Sequence, residues 1–261
     1  MTSPLPRRRG VPARRRAGLV GAAVLLLLAT VFSAWPALDL WASRAFVVDG
    51  KHFIGDDFAA IRGLYRAMPV IGWLCFFAGA IVHGLWRRHP GPLGMRWSRR
   101  LAALALVSLV GSGLLINLGV KERWGRARPV QVAEFGGQKH FTPALQPADQ
   151  CAHNCSFVSG HAASGFVLMA VGLMGPVAVR RRWLAIGLAA GAVAGLARIM
   201  EGGHFLSDTL FSGWLIWATG WVLREVWLAR KAAARRRRLA GGPPGDGQQA
   251  AARAGIPGSG P

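Results

Sequence analysis

Charge is scarce in this chain: 16% of its 261 residues are Asp, Glu, Lys or Arg, beside a hydrophobic share of 52%. That balance excludes an ordinary soluble domain of this length. Acidic side chains are scarcer still, 11 against 32 basic ones, which leaves a net charge of +21. Such a charge suits a nucleic-acid binder when the arginines form a patch. Here they flank apolar runs instead, the pattern of a polytopic membrane protein whose basic loops stay cytoplasmic, so no nucleic-acid partner is expected. Cysteine is sparse as well, with three in all. Cys75 falls inside an apolar run and reads as a small buried hydrophobe. Cys151 and Cys155, in CAHNC, lie in a segment read as external, where a disulfide can persist. A bridge and two free thiols both stay open, because a four-residue offset needs a favourable turn. Adding His140 or His153 to these thiols matches no common zinc spacing.

The apolar runs predict an all-α polytopic membrane protein, a six-transmembrane-helix bundle with an external loop region. About 20 helical residues cross roughly 30 Å of hydrocarbon, and the runs 17–35, 69–86, 101–120, 160–179, 183–200 and 208–229 come close to or reach that length. They define one domain over 17–229, between a disordered basic cytoplasmic arm (1–16) and a disordered basic cytoplasmic tail (230–261). A cleaved signal peptide is the rival reading of the first run, with small residues at Ser33 and Ala34. Residues 37–68 balance Asp39, Asp49, Asp56 and Asp57 against Arg44, Lys51, Arg62 and Arg66, and read as short amphipathic helices near the outer interface. The basic loop 87–100 and the Arg180–Arg182 turn are expected on the cytoplasmic side, the long loop 121–159 on the other. The lipid bilayer is thus the first partner, with a bacterial-type inner membrane as its location.

Three motifs fall on the non-cytoplasmic ends of these runs. They are Lys121 with Arg128 in KERWGRARP, Ser159, Gly160 and His161 in SFVSGH, and Arg198, His204 and Asp208 in RIMEGGHFLSD. Three cations suit an anion such as a phosphate ester, whose reaction depends on neutralising charge on the equatorial oxygens. Ser159 and the Gly160 amide stand at a helix start, where an anion is favoured, and a glycine lets backbone approach the phosphate. The His204 imidazole is placed to attack phosphorus, Asp208 four residues on to accept its other N–H, and His161 to serve as acid and then base. No acidic cluster or His-x-His array lies near these motifs, so no metal and no other cofactor is expected. Taken singly, each cation reads as an interfacial anchor, each histidine as a packing residue and Asp208 as a helix cap. The ordered set on one face carries the argument.

Those motifs resemble the type 2 phosphatidic acid phosphatase superfamily, which also holds vanadium haloperoxidases and soluble acid phosphatases. The resemblance covers Lys121 to Asp208 closely. It implies phosphate contacts from Lys121, Arg128, Ser159, Gly160 and Arg198, with His204 as nucleophile, His161 as acid and base, and Asp208 as its orienting carboxylate. Two positions depart from the family pattern: Val158 stands where PSGH has proline, and Ala197 where a serine often precedes the arginine.

A membrane lipid phosphate is the expected substrate, among isoprenoid diphosphate, phosphatidylglycerol phosphate, phosphatidic acid and lipid A. The EFGG and CAHNCSF elements bear a fainter resemblance to the branch with bacterial lipid A phosphatases. Arg123 and Arg126 add cations that either read a second phosphate or anchor the surface. The rivals are a lipid phosphotransferase using the same phosphohistidine and a non-enzymatic membrane carrier.

Overall fold

The computed structural model describes residues 13–88 and 91–240, so the outer parts of the two basic termini, 1–12 and 241–261, lie outside the described residues. Leu-rich sequence without a charge after Arg16 winds into α1 (Ala13–Ala34). After Pro36 a short α2 (Ala37–Arg44) follows. The next stretch corrects the expectation of amphipathic helices alone. It holds a hairpin of β1 (Val47–Val48) and β2 (His52–Phe53), with Val47 opposite Phe53. Its turn places Asp49 and Gly50 at φ of 52° and 74°, which the Asp-Gly pair adopts at low cost.

Helix α3 (Ala59–Arg87) starts well before the expected run and passes through Pro69. A membrane helix tolerates an internal proline where neighbours re-satisfy the freed carbonyl, and the extra turns carry Tyr65 toward the site. The basic loop 87–100 is also mostly helix. Gly91 is extended and Pro92 takes the first helical position of α4 (Pro92–Val107), where a missing N–H costs nothing. A wide π-type helix (Ser108–Val120) and the single turn α5 (Lys121–Arg123) continue it.

The fourth expected run is shorter than predicted. Helix α6 (Gly160–Phe166) tightens into a 3-10 stretch (Val167–Gly172) and stops. Its side is buried almost throughout, so it is an inner element surrounded by protein, not a lipid-facing helix. Arg180–Arg182 is no turn but an early part of α7 (Val177–Met200), which begins after an extended Pro176. Helix α8 (Leu206–Ala240) continues through Arg238, so this part of the basic tail is helical.

By length and composition, four stretches among the described residues can cross a membrane: Arg15–Ala34, Ala59–Leu85, Leu93–Arg123 and Val177–Met200. The fold is therefore a predominantly helical, multi-pass membrane bundle. The chain forms two compact units, one ending at Trp221 and holding every predicted site residue, the other beginning at Val222. In the first unit, long loop 121–159 packs as a cap over the end where α7 finishes and α8 begins. Phe53, Ala127, Val132, Phe135 and Phe205 form its apolar centre, and each buried phenylalanine adds roughly 2 kcal/mol. Backbone bonds from Val130 to Gly202 and Ser159 to Asp208 tie the cap to the helix ends, and one from Ser156 to Arg126 closes the cap on itself.

Candidate active site

The two first-motif cations share one partner. Lys121, 5% exposed, donates from Nζ to Asn154 Oδ1 at 2.5 Å, while Arg128 Nη2 donates to the Asn154 carbonyl at 2.8 Å. Asn154 sits in the loop closed by a Cys151–Cys155 disulfide, with Cα atoms 5.6 Å apart, which resolves the alternative left open by spacing. Arg128 and Arg198 both lie within coulombic reach of Lys121. Three like charges held this close repel one another, and an anion among them removes that cost.

Arg198 ends α7, 6% exposed, and pairs through Nη1 with Glu201. Its guanidinium lies 4.5 Å above the Tyr65 ring, a cation–π distance. The His161 ring stacks on the same tyrosine at 4.8 Å and 23°. Gly203 makes room for the arginine, because an added Cβ would stand 1.9 Å from Arg198 Nη2. Backbone N–H groups of Gly203 and His204 fold back onto the Arg198 carbonyl at 2.9 and 3.3 Å.

His204 is wholly buried. Its Nδ1 lies 2.7 Å from the Ser156 carbonyl and 3.6 Å from Asp208 Oδ2. A carbonyl only accepts, so Nδ1 carries the hydrogen and Nε2 keeps its lone pair. The expected direct bond from His204 to Asp208 is thus replaced: the near acceptor is a backbone carbonyl. Asp208 instead accepts from Ser156 Oγ at 2.5 Å and the Phe205 N–H at 2.8 Å. Burial pushes the His204 imidazole down to about 4, against the pull of Asp208 and with the help of Lys121 and Arg198.

His204 Nε2, His161 Nε2 and Arg198 Nε are all buried without a hydrogen-bond partner. Buried polar atoms are nearly always paired, so three orphans on neighbouring motif residues mark a place shaped for a polar ligand. Electrostatics puts them in one neighbourhood, since His161 feels Arg198, His204, Lys121 and Arg128. Among the described residues, no group of three or more His, Cys, Asp or Glu side chains is arranged to hold a metal ion.

The family model described as the PAP2 superfamily matches residues 101–232. The chain belongs to the PAP2 superfamily. Lipid A 4'-phosphatase from Francisella tularensis subsp. novicida is 32% identical over 224 residues, spanning 80% of this chain and 97% of that protein. Lipid A 4'-phosphatase from Rhizobium etli is 31% identical over 227 residues, 79% and 87% of the two chains. A third, from Rhizobium leguminosarum, is 32% identical over 203 residues, 72% and 86%. No solved structure matches. These relatives and the apolar helices place this PAP2 protein among the membrane lipid phosphatases.

Two further predicted residues, Ser159 and Gly160, stand at a helix start as read from the sequence. Ser159 caps α6, its Oγ accepting from the Ala162 N–H at 3.3 Å and its carbonyl accepting from Ser212 Oγ at 2.8 Å. A Cβ on Gly160 would meet Asn117 Oδ1 at 2.6 Å, so this glycine admits a neighbouring side chain on that face. Arg126 corrects the second-phosphate reading. It is fully buried, with Nη1 on Asp208 at 2.6 Å and Ser207 Oγ at 2.9 Å, Nη2 on Asp39 at 2.8 Å and Nε on the Thr142 carbonyl at 2.9 Å. The Phe205 ring lies 4.2 Å from its guanidinium. Arg123 is exposed. Asp39, Ser156, Tyr65 and Asn154 were not singled out from sequence. Only Tyr65 carried a signal, as the single tyrosine of the chain.

A cleft of about 330 Å³ opens beside the site among α3, the π-type helix and α6. Trp73, Phe76 and Leu114 give it an apolar wall, with Asn117 and Ser164 among its polar groups.

Proposed function

We propose that this protein hydrolyses a terminal phosphate of a membrane lipid through a phosphohistidine at His204. The carrying observation is His204 Nε2, buried, unpartnered and left with its lone pair by the Nδ1 bond to Ser156. Lys121, Arg128, Arg198 and the Gly160 amide bind the phosphoryl oxygens, with Ser159 capping the turn that presents that amide. His204 Nε2 attacks phosphorus, and the bond to the lipid oxygen breaks as His161 Nε2 gives that oxygen its proton. His161 then takes a proton from water, the water oxygen bonds to phosphorus, and inorganic phosphate leaves with His204 restored. Asp208 stabilises the cationic imidazole from 3.6 Å while Ser156 fixes its tautomer. Arginine, lysine and amide donors supply the positive charge, so turnover is expected to persist in chelator.

The relatives' names favour lipid A carrying a 4′-phosphate as substrate, over the isoprenoid, phosphatidylglycerol phosphate and phosphatidic acid alternatives. The apolar cleft beside Gly160 suits an acyl chain of such an amphiphile. We also assign six crossings, with α6 and α8 added to the four apolar stretches, one domain over 17–229, cytoplasmic termini and a site on the periplasmic or external face of a bacterial-type inner membrane.

The test is purified protein with labelled lipid A and the other lipid phosphates, scored by released phosphate and by label retained on acid-sensitive, base-stable protein. His204→Ala is expected to abolish both. Full release by that variant, or turnover without any labelled protein after rapid quench, overturns the histidine route.

A further inference from the structure

A second cavity, separate from the site, lies among α1, α6, α7 and α8. It has a volume of about 890 Å³ and an almost wholly apolar lining. Two features give it direction. Its wall on α1 runs from Arg16 through Val20 and Val24 to Leu28, and its wall on α7 from Arg181 through Leu188 to Ala192. Helix α1 runs against α8, with Gly18 at Trp221, Gly21 at Trp217 and Phe32 near Phe211. Helix α8 follows the end of α7 and returns along it, Gly195 meeting Thr209. So α1 and α7 start at the same end of the first unit, opposite His204, and Arg16 and Arg181 both line the cavity toward that end. Both arginines are exposed, and neither makes an ion pair or side-chain hydrogen bond among the described residues.

The dimensions fit one occupant. From Arg16 to Leu28 the groove is about 18 Å long at the helical rise, close to the roughly 15 Å depth of one leaflet's hydrocarbon. A volume of this order accepts a lipid-sized ligand. Paired guanidiniums at the headgroup level attract an anionic phosphodiester, and basic pockets between membrane helices are where such headgroups dock.

We propose that this groove is a binding site for an anionic glycerophospholipid of the leaflet opposite the active site, its phosphate on Arg16 and Arg181 and an acyl chain along α1 and α7. The bound lipid stabilises the contact between α1 and the rest of the bundle. The site is independent of the hydrolytic reading and rests only on the chain spanning the membrane.

The experiment uses the full chain, delipidated in detergent and titrated separately with phosphatidylglycerol and phosphatidylethanolamine. Thermal midpoint and native mass spectrometry of retained lipid are the readouts. The wild type is expected to hold one phosphatidylglycerol and to prefer it at least about tenfold, because the net negative headgroup meets two guanidiniums. Arg16→Gln with Arg181→Gln is expected to erase that preference while keeping basal stability. Leu188→Trp, which fills the groove, is expected to weaken both lipids. Equal affinity of the wild type for the two lipids overturns the proposal, as does a preference that survives the double substitution. A lipid-free dimer that covers the groove with a second copy also overturns it.

Discussion

Arg126 and Asp208 form an ion pair of 2.6 Å in which neither side chain touches solvent. A second buried carboxylate, Asp39, lies on the same guanidinium at 2.8 Å. Two carboxylates and one arginine leave one negative charge, which hydroxyl and amide donors from Ser156, Ser207 and Phe205 spread. This bridge ties α2, the loop after α5 and the start of α8 together beneath His204. Replacing Arg126 with Met strands both carboxylates, and breaking a buried pair this way costs about 3 to 5 kcal/mol. Arg126→Met is expected to lower the thermal midpoint in detergent sharply and to abolish activity. Arg126→Lys, with a point charge for a fork, is expected to fall in between.

The depressed His204 value has a sign that can be measured. Because its folded pKa is lowered to about 4, the imidazole stays neutral and nucleophilic well below its ordinary 6.5. In the free enzyme the nucleophile's acid limb of kcat/KM is therefore expected near pH 4. An unfolded chain binds this proton near 6.5, so the stability contributed by neutral His204 is present above that pH and is lost as pH falls toward 4. A limb assigned to His204 at 6.5 would contradict this burial.

Tyr65 presents its ring to both Arg198 and His161. Tyr65→Phe keeps the ring and is expected to preserve kcat/KM within about twofold. Tyr65→Ala removes a contact of about 1 kcal/mol and is expected to lower kcat/KM roughly fivefold or more.

Gly203→Ala brings a methyl group onto Arg198 Nη2, and the guanidinium has to move. Vanadate, a tetrahedral oxyanion, is expected to inhibit the wild type. In Gly203→Ala its inhibition constant is expected to rise at least about tenfold, with the fold retained by circular dichroism.

The three motifs were legible because each joins chemistry-bearing residues to the end of an apolar run, and a run's end is where a membrane protein meets water. Arg126 was not, since a buried arginine and an interfacial one look alike in sequence and its carboxylates lie 82 and 87 residues away. Tyr65 was hidden by Pro69, which reads as a helix start although α3 passes through it. The 3-10 tightening after Phe166 was invisible too, because apolar composition alone carries no record of helical pitch. In the same way, the bond from His204 to the Ser156 carbonyl uses backbone, which every residue possesses and no motif announces.

The brevity of the Gly160–Gly172 segment bears on how the protein is made. At roughly 20 Å it cannot bridge the hydrocarbon unaided, and its small residues give the insertion machinery little grip. It packs along α7, with Gly165 against Ala190 and Gly191 against Phe166, so its entry into the bilayer is expected to wait for that helix and to proceed as a pair.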